Sequence, residues 1–249
     1  MDILKNFSER QGIGFPLLAD PGYEVIDAFG IVNSSVPKDN PFYGFAYAGY
    51  YILGPDGLVK SKYFNEENNN RTTAASILMR EFEASGDSPQ GEAETAHLRI
   101  RWSVSNPIFR PGQRGALLLE VEPKQGMHVY APEVEGYIPV SWKMKPAEDQ
   151  AEFADDIYPE AKIKHLPAID ESVPIYEGPF RVMRDIRVLG SREFTEALAG
   201  RSQLVVEGEF HYQACDATKC YFPTSIPLKW TLDLSEHDLV RVPEEIQRN

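Results

Sequence analysis

From residue 95 onward, apolar and polar residues alternate in short runs. "HLRIRWSVS" places Leu98, Ile100, Trp102 and Val104 on one side of an extended chain. "QLVVEGEFHYQA" does the same with Leu204, Val206, Phe210 and Tyr212, and "SIPLKWTLDL" with Ile226, Leu228, Trp230, Leu232 and Leu234. A period of two is the mark of strands with one buried face. "GALLLEVEP", "GMHVYAP", "IPVSWKM" and "RVMRDIRVLG" are further short strand candidates, separated by turn residues. One helical interruption is expected at "SREFTEALAG", carrying Phe194 and Leu198 and ending at Gly200. The expectation for residues 95–235 is an immunoglobulin-like β-sandwich.

The first 83 residues have a different rhythm. Asp2 is placed to cap a helix whose Ile3, Leu4 and Phe7 recur at helical spacing. "FPLLAD" is a short apolar run ending in a turn, and "GYEVIDAFGIV" sets Val25, Ile26 and Phe29 on one helical face. "YYILGPDGLVKSKYF" joins two β-rich runs by Gly-Pro-Asp-Gly, a strong hairpin signal. "NNRTTAASILMREFE" reads as a closing helix with Ile77, Leu78 and Phe82 facing inward. The predicted order is helix, strand, helix, hairpin, helix, an α/β piece ahead of a mainly β domain.

"EASGDSPQGEAET", residues 83–95, is small, acidic and rich in Gly and Pro, with no apolar period. It predicts a linker at 84–94 and a domain boundary there, with residues 236–249 left as a tail. The length of 249 residues suits one large or two ordinary domains. No stretch offers the roughly 18–20 apolar residues of a spanning helix, so no membrane span is expected. "MDILKNFSER" is charged from the start and does not look like a signal peptide. The net charge of -13 repels phosphate backbones, which argues against nucleic acid as a partner.

The chemistry concentrates in "HYQACDATKCYFP", which holds both cysteines of the chain, Cys215 and Cys220. No Cys/His cluster has zinc spacing, and no phosphate-binding glycine motif occurs, so no metal and no cofactor are expected. The two cysteines lie at the tip of a predicted hairpin, where flanking residues face each other across the turn. A structural staple closing so short a loop contributes only about 2 kcal/mol. An accessible short-loop disulfide is also the kind that exchanges, with Lys219 favouring a thiolate at Cys220 and Asp216 opposing one at Cys215. Both readings stay open on spacing alone.

Two resemblances sharpen them. "ILKNFSERQGIGFPLLADPGYEVIDAFGIVN" and "GYYILGPDGLVKSKYF", in that order, resemble the second half of a thioredoxin-fold peroxiredoxin of the AhpC/TSA group, over residues 2–82. The resemblance implies that the family's first strand, first helix and reactive-cysteine segment lie before Met1. Residues 1–83 contain no cysteine, and Ala48 stands where the family often has proline, so peroxidase activity is not expected of this chain. An incomplete sheet also presents an unpaired edge, which implies a homo-oligomer or some other cover.

"YQACDATKCYFP" resembles the active-site hairpin of the N-terminal domain of the thiol:disulfide interchange protein DsbD, with Tyr212, Gln213, Cys215, Cys220, Tyr221 and Pro223 on matching positions. Four residues separate the cysteines here, against five in the best-known members. "GMHVYAPEVEGYIPVSW" resembles the strand beside the pair, with His128 and Tyr130 matching. "VPIYEGPFRVMRDI" resembles the cap loop over the disulfide, with Ile175, Tyr176, Glu177 and Gly178 at its core. The resemblance covers residues 95–235. It implies thiol–disulfide exchange through Cys215 and Cys220 with a redox protein partner, one carrying a thioredoxin-like domain for example. It implies a periplasmic setting, a cap in which Tyr176 shields the pair, and sulfur acidity tuned by His128, Tyr130 and Glu177, with Tyr212 and Tyr221 in support. The competing reading is a non-enzymatic β-sandwich interaction domain with a structural disulfide.

Overall fold

The computed structural model describes residues 2–41, 43–64, 73–82, 84, 86, 88–147, 149–167, 170–190 and 202–235. The expected helix at "SREFTEALAG" and the tail from 236 lie outside them. The chain forms two compact units, divided between residues 72 and 73.

The first unit carries helix α1 (Asp2–Gln11), the short helix α2 (Glu24–Ala28) and an antiparallel ribbon of β1 (Gly49–Leu53) and β2 (Val59–Phe64). The Gly-Pro-Asp-Gly turn joins the two strands as expected, with Gly57 at φ 78°, a left-handed conformation that glycine adopts without a Cβ penalty. "FPLLAD" is irregular rather than a strand. Its Asp20 carboxylate accepts the backbone N–H groups of Val25 and Ile26 and so caps α2. Phe15, Leu18, Val25 and Phe29 are exposed.

The second unit is a β-sandwich. One sheet has the order β3-β4-β6-β12-β9, from Ser88–Glu94, Leu98–Val104, Arg114–Pro123, Phe180–Val188 and Ala151–Ile157. The facing sheet has the order β5-β15-β13-β8, from Ile108–Phe109, Thr224–Leu234, Gln203–Tyr212 and Ser141–Met144. The period-two sets predicted from sequence fill the space between them. Leu98, Ile100, Leu204, Val206, Phe210, Ile226, Leu228, Trp230 and Leu232 share one apolar core. Trp230 is fully buried, stacks on Trp142 at 5.5 Å and donates its indole N–H to the Ser103 carbonyl.

Two expectations are corrected here. The stretch expected as a linker at 84–94 contains strand β3, which pairs with β4 in register from Ser88↔Val104 to Glu94↔Arg99, with an irregularity between Pro89 and Gly91. It reads as a linker because it is the edge of its sheet, where exposed polar residues and a proline are tolerated. The "closing helix", α3 (Ala74–Phe82), packs on this sandwich. Its Met79 meets Ala116 and Leu118 of β6 and Met183 of β12, on the sheet face turned away from the main core. Ile77 and Met79 are buried, while Leu78 and Phe82 are exposed. The Ser76 hydroxyl donates to the Asp185 carboxylate, fastening the helix to β12.

A third, smaller sheet has the order β10-β11-β7-β14, from Lys162–Leu166, Glu171–Tyr176, His128–Tyr130 and Ala214–Cys215. It carries Cys215 and the strand predicted to lie beside the pair, and Cys220 follows the turn after β14, bridged back to Cys215.

Candidate functional site

Strand β13 runs into the cysteine hairpin and β15 runs out of it, as the alternation on either side requires. Cys215 and Cys220 are joined in a disulfide, with Cα atoms 4.0 Å apart. Asp216 builds the turn between them. One of its carboxylate oxygens accepts the backbone N–H groups of Thr218 and Lys219 and the Thr218 hydroxyl, and the other accepts the Tyr221 hydroxyl at 2.7 Å. These donors, those of Thr218 first, hold the Asp216 carboxyl well below the usual carboxylate range. The Gln213 side chain donates to the Tyr221 carbonyl, and the Tyr221 N–H to the Ala214 carbonyl. The hairpin is therefore tied at its tip and at its base.

Register decides which side chains meet the sulfurs. Val129 stands opposite both Tyr176 and Ala214, and all three belong to the main core. The neighbouring positions therefore face the other way. His128 stands opposite Cys215, and Tyr130 opposite Ile175. Tyr130, Val173, Ile175 and Cys215 form a separate apolar cluster, against which Val134, Tyr137 and Leu166 pack. The Tyr130 ring stacks on Tyr137 at 4.6 Å, and its hydroxyl lies 3.7 Å from Cys220 Sγ.

The two sulfur-bearing residues differ in access. Cys215 is 1% exposed, whereas Cys220 is an exposed residue. A groove of about 240 Å³ opens onto the pair. His128 and Tyr130 lie along it, Lys164, His165, Leu166 and Pro167 form one wall, and the cysteine hairpin forms the other. Beyond Cys220, Phe222 is 93% exposed. Burial pushes the His128 imidazole below its ordinary value and the Tyr130 phenol above its own. Glu177 is held below its usual range by its hydrogen bond from Lys164.

The structure brings together most of the residues expected at the site. Cys215, Cys220, His128 and Tyr130 line one groove. Tyr221 holds the turn through Asp216. Tyr212 lies in the main core, with its hydroxyl 2.8 Å from that of Thr95. The cap is different. Ile175 and Tyr176 belong to strand β11, not to a loop. Tyr176 turns into the main core, stacks on Phe180 at 4.2 Å and donates its hydroxyl to the Pro159 carbonyl. With Glu177 and Gly178 it lines a separate cavity of about 700 Å³, along with Arg99 and Arg181. The expectation that Tyr176 shields the disulfide is therefore corrected: strand parity points Ile175, not Tyr176, to the disulfide face. Glu177 reaches the groove through Lys164.

The wall formed by Lys164–Pro167 went unread in the sequence. The one signal is "KIKHLP", a short alternation whose apolar member, Ile163, is exposed at the sheet edge. Among the described residues no group of three His, Cys, Asp or Glu side chains could hold a metal ion. No described helix is long and apolar enough to cross a membrane.

Residues 2–62 match the AhpC/TSA family. No curated protein matches the chain. Among solved structures, the N-terminal periplasmic domain of ScsB from Proteus mirabilis is similar at 13% identity, with a TM-score of 0.32. That alignment covers 59% of this chain and 51% of the other, so the chain spans about half the length of that relative. The AhpC/TSA match, together with a disulfide opening onto a groove, supports a thiol–disulfide redox role in general terms.

Proposed function

We propose that the chain is a thiol–disulfide exchange module of the DsbD N-terminal kind, with an immunoglobulin-like sandwich carrying the Cys215–Cys220 pair. Residues 2–62 are the AhpC/TSA-like part of the chain. The observation that carries this reading is the unequal exposure of the two cysteines at the mouth of an apolar-walled groove. A disulfide that only staples has no need of a groove opening onto one of its ends.

The asymmetry also supports an order of events. A thiolate of a reduced protein partner attacks Cys220 Sγ. A new S–S bond forms to the partner, the Cys215–Cys220 bond breaks, and its electron pair leaves on Cys215 Sγ. The partner's second thiolate then attacks its own sulfur in the mixed disulfide and releases Cys220. The partner is oxidised by two electrons, and the pair gains two electrons and takes up two protons. Running in reverse, the dithiol reduces an oxidised client. The Tyr130 hydroxyl, 3.7 Å from Cys220 Sγ, is placed to donate to that sulfur as charge develops on it.

Trapping tests the assignment. A Cys215→Ser chain keeps the exposed sulfur and is expected to accumulate a mixed disulfide with a thioredoxin-type protein activated at its attacking thiol. A Cys220→Ser chain is expected to accumulate little. Equal trapping by both, or none by either, contradicts the proposed order.

A further inference from the structure

We infer that His128 acts on the buried sulfur of the pair, its Nε2 donating a hydrogen bond to Cys215 Sγ as that sulfur leaves; the inference rests on the exchange reading above. Three observations carry it. His128 is 5% exposed, and its Nε2 is buried with no hydrogen-bond partner in the oxidised protein. Buried polar atoms are nearly always satisfied, so an orphan at this position calls for a reason. His128 and Cys215 stand opposite each other across β7 and β14. Such pairs share a sheet face with Cβ atoms about 4.5–5.5 Å apart. Both line the same groove.

The chemistry follows from what opening the disulfide changes at each atom. In the oxidised protein, Cys215 Sγ is bonded to Cys220 and carries no charge. When a partner thiolate takes Cys220, the bond's electron pair passes to Cys215 Sγ. The resulting thiolate is almost wholly removed from water, where charge is costly. The orphan donor on its own sheet face, directly opposite in register, is His128 Nε2. Reduction therefore gives the orphan nitrogen an acceptor and the buried sulfur a hydrogen-bond donor. Cys220, an exposed residue, has the Tyr130 hydroxyl 3.7 Å from its sulfur instead. His128 thus serves the leaving group and not the site of attack.

Several charged groups surround the imidazole. Burial acts first in holding it toward the neutral form, and Lys164 of β10 adds to that; Glu177 beyond β11 and Asp216 of the hairpin pull the other way. His165 and Lys219 also line the groove, and Tyr130 follows on the same strand. As pH falls, more of the protein carries an imidazolium, a stronger donor to a thiolate than the neutral ring. The rate of opening per attacking thiolate is therefore expected to rise toward acid.

Stopped-flow reduction of the full chain by dithiothreitol, from pH 5 to pH 8, reads this directly when each rate is divided by the thiolate fraction of the reagent. The normalised rate is expected to rise about tenfold toward pH 5, the lower end of what a hydrogen bond to a charged group supplies. His128→Phe is expected to be flat. His128→Gln, which keeps an N–H donor without titrating, is expected to be flat as well but faster than His128→Phe. His165→Gln removes the other imidazole at the groove and is expected to keep the rise. A His128→Gln profile that superposes on the wild type overturns the inference, even if His128→Phe does not fold. So does loss of the rise in His165→Gln. Failure of dithiothreitol to reduce the wild-type pair at all overturns the exchange reading itself, and this inference with it.

Discussion

At the scale of single residues, the site is an arrangement of small inequalities. Cys215 is buried and Cys220 is not, though five positions separate them, because Cys215 ends a strand and Cys220 follows the turn. Asp216 makes that turn rigid by accepting four hydrogen bonds. Its depressed pKa has a consequence with a definite sign. A carboxylate whose folded value lies below its unfolded value of about 3.9 adds stability above that unfolded value. That contribution is lost as pH falls through the folded value. Above pH 4 the turn is expected to be ordered, and Asp216→Ala is expected to speed amide hydrogen exchange at Thr218 and Lys219 while leaving the β13–β15 ladder protected. Unchanged exchange at those two amides would show that the carboxylate does not hold the turn. His128 has the opposite chemistry and the same sign. An imidazole held below its unfolded value of about 6.5 costs stability as pH falls, because the unfolded chain binds the proton more readily. Denaturant midpoints are expected to drop between pH 7.5 and pH 5.5 in the wild type, and to drop less in His128→Phe.

At the scale of elements, what the sequence makes legible depends on whether one face of a strand is dry. The strands carrying Leu204, Val206, Phe210 and Tyr212, and Ile226, Leu228, Trp230 and Leu232, alternate in burial residue by residue. Their period could be read without a structure, and so could the hairpin between them. The edges could not. Strand β3 is polar along "SPQGEAE", and β10 is exposed along "KIKH", so neither carries an apolar period. The cap is illegible for a related reason. "PIYEGP" offers a prominent aromatic, but which of Ile175 and Tyr176 faces the disulfide is set by pairing with His128–Tyr130, a register invisible within the segment itself. Helix α3 reads as part of the N-terminal piece with Ile77, Leu78 and Phe82 facing inward, yet of these three only Ile77 is buried, and Met79 supplies the contact to the sandwich. Its Met79 seals the outer face of the main sheet, so Met79→Ala is expected to destabilise the sandwich by about 2–3 kcal/mol. A denaturant transition of the sandwich left unmoved by that change would return α3 to the N-terminal unit. Trp230→Ala, which empties the middle of the core and strands the Ser103 carbonyl, is expected to cost about 3–5 kcal/mol in the same measurement.

At the scale of the whole molecule, the sandwich is a frame that does not depend on its disulfide. Its core holds Trp230, Phe210 and Trp142 between two sheets, and Cys215 belongs to a separate cluster on a third. Replacing both cysteines by serine is therefore expected to cost no more than about 2 kcal/mol, the chain-entropy value for so short a loop. Loss of folding in that variant would favour the structural reading of the bond. The N-terminal residues 2–62 match a redoxin family yet contain no cysteine, so any exchange chemistry of this chain has to pass through Cys215 and Cys220. Whether that bond exchanges is thus the central question, and its reduction potential answers it most directly. Equilibration of the full chain in a series of defined thiol–disulfide buffers, with the free thiols alkylated and counted by mass, gives the midpoint. A redox-active pair is expected above about -300 mV, within reach of thioredoxin-type dithiols. A midpoint far below that value, with the bond intact in the most reducing buffers, would contradict exchange and leave Cys215–Cys220 a staple.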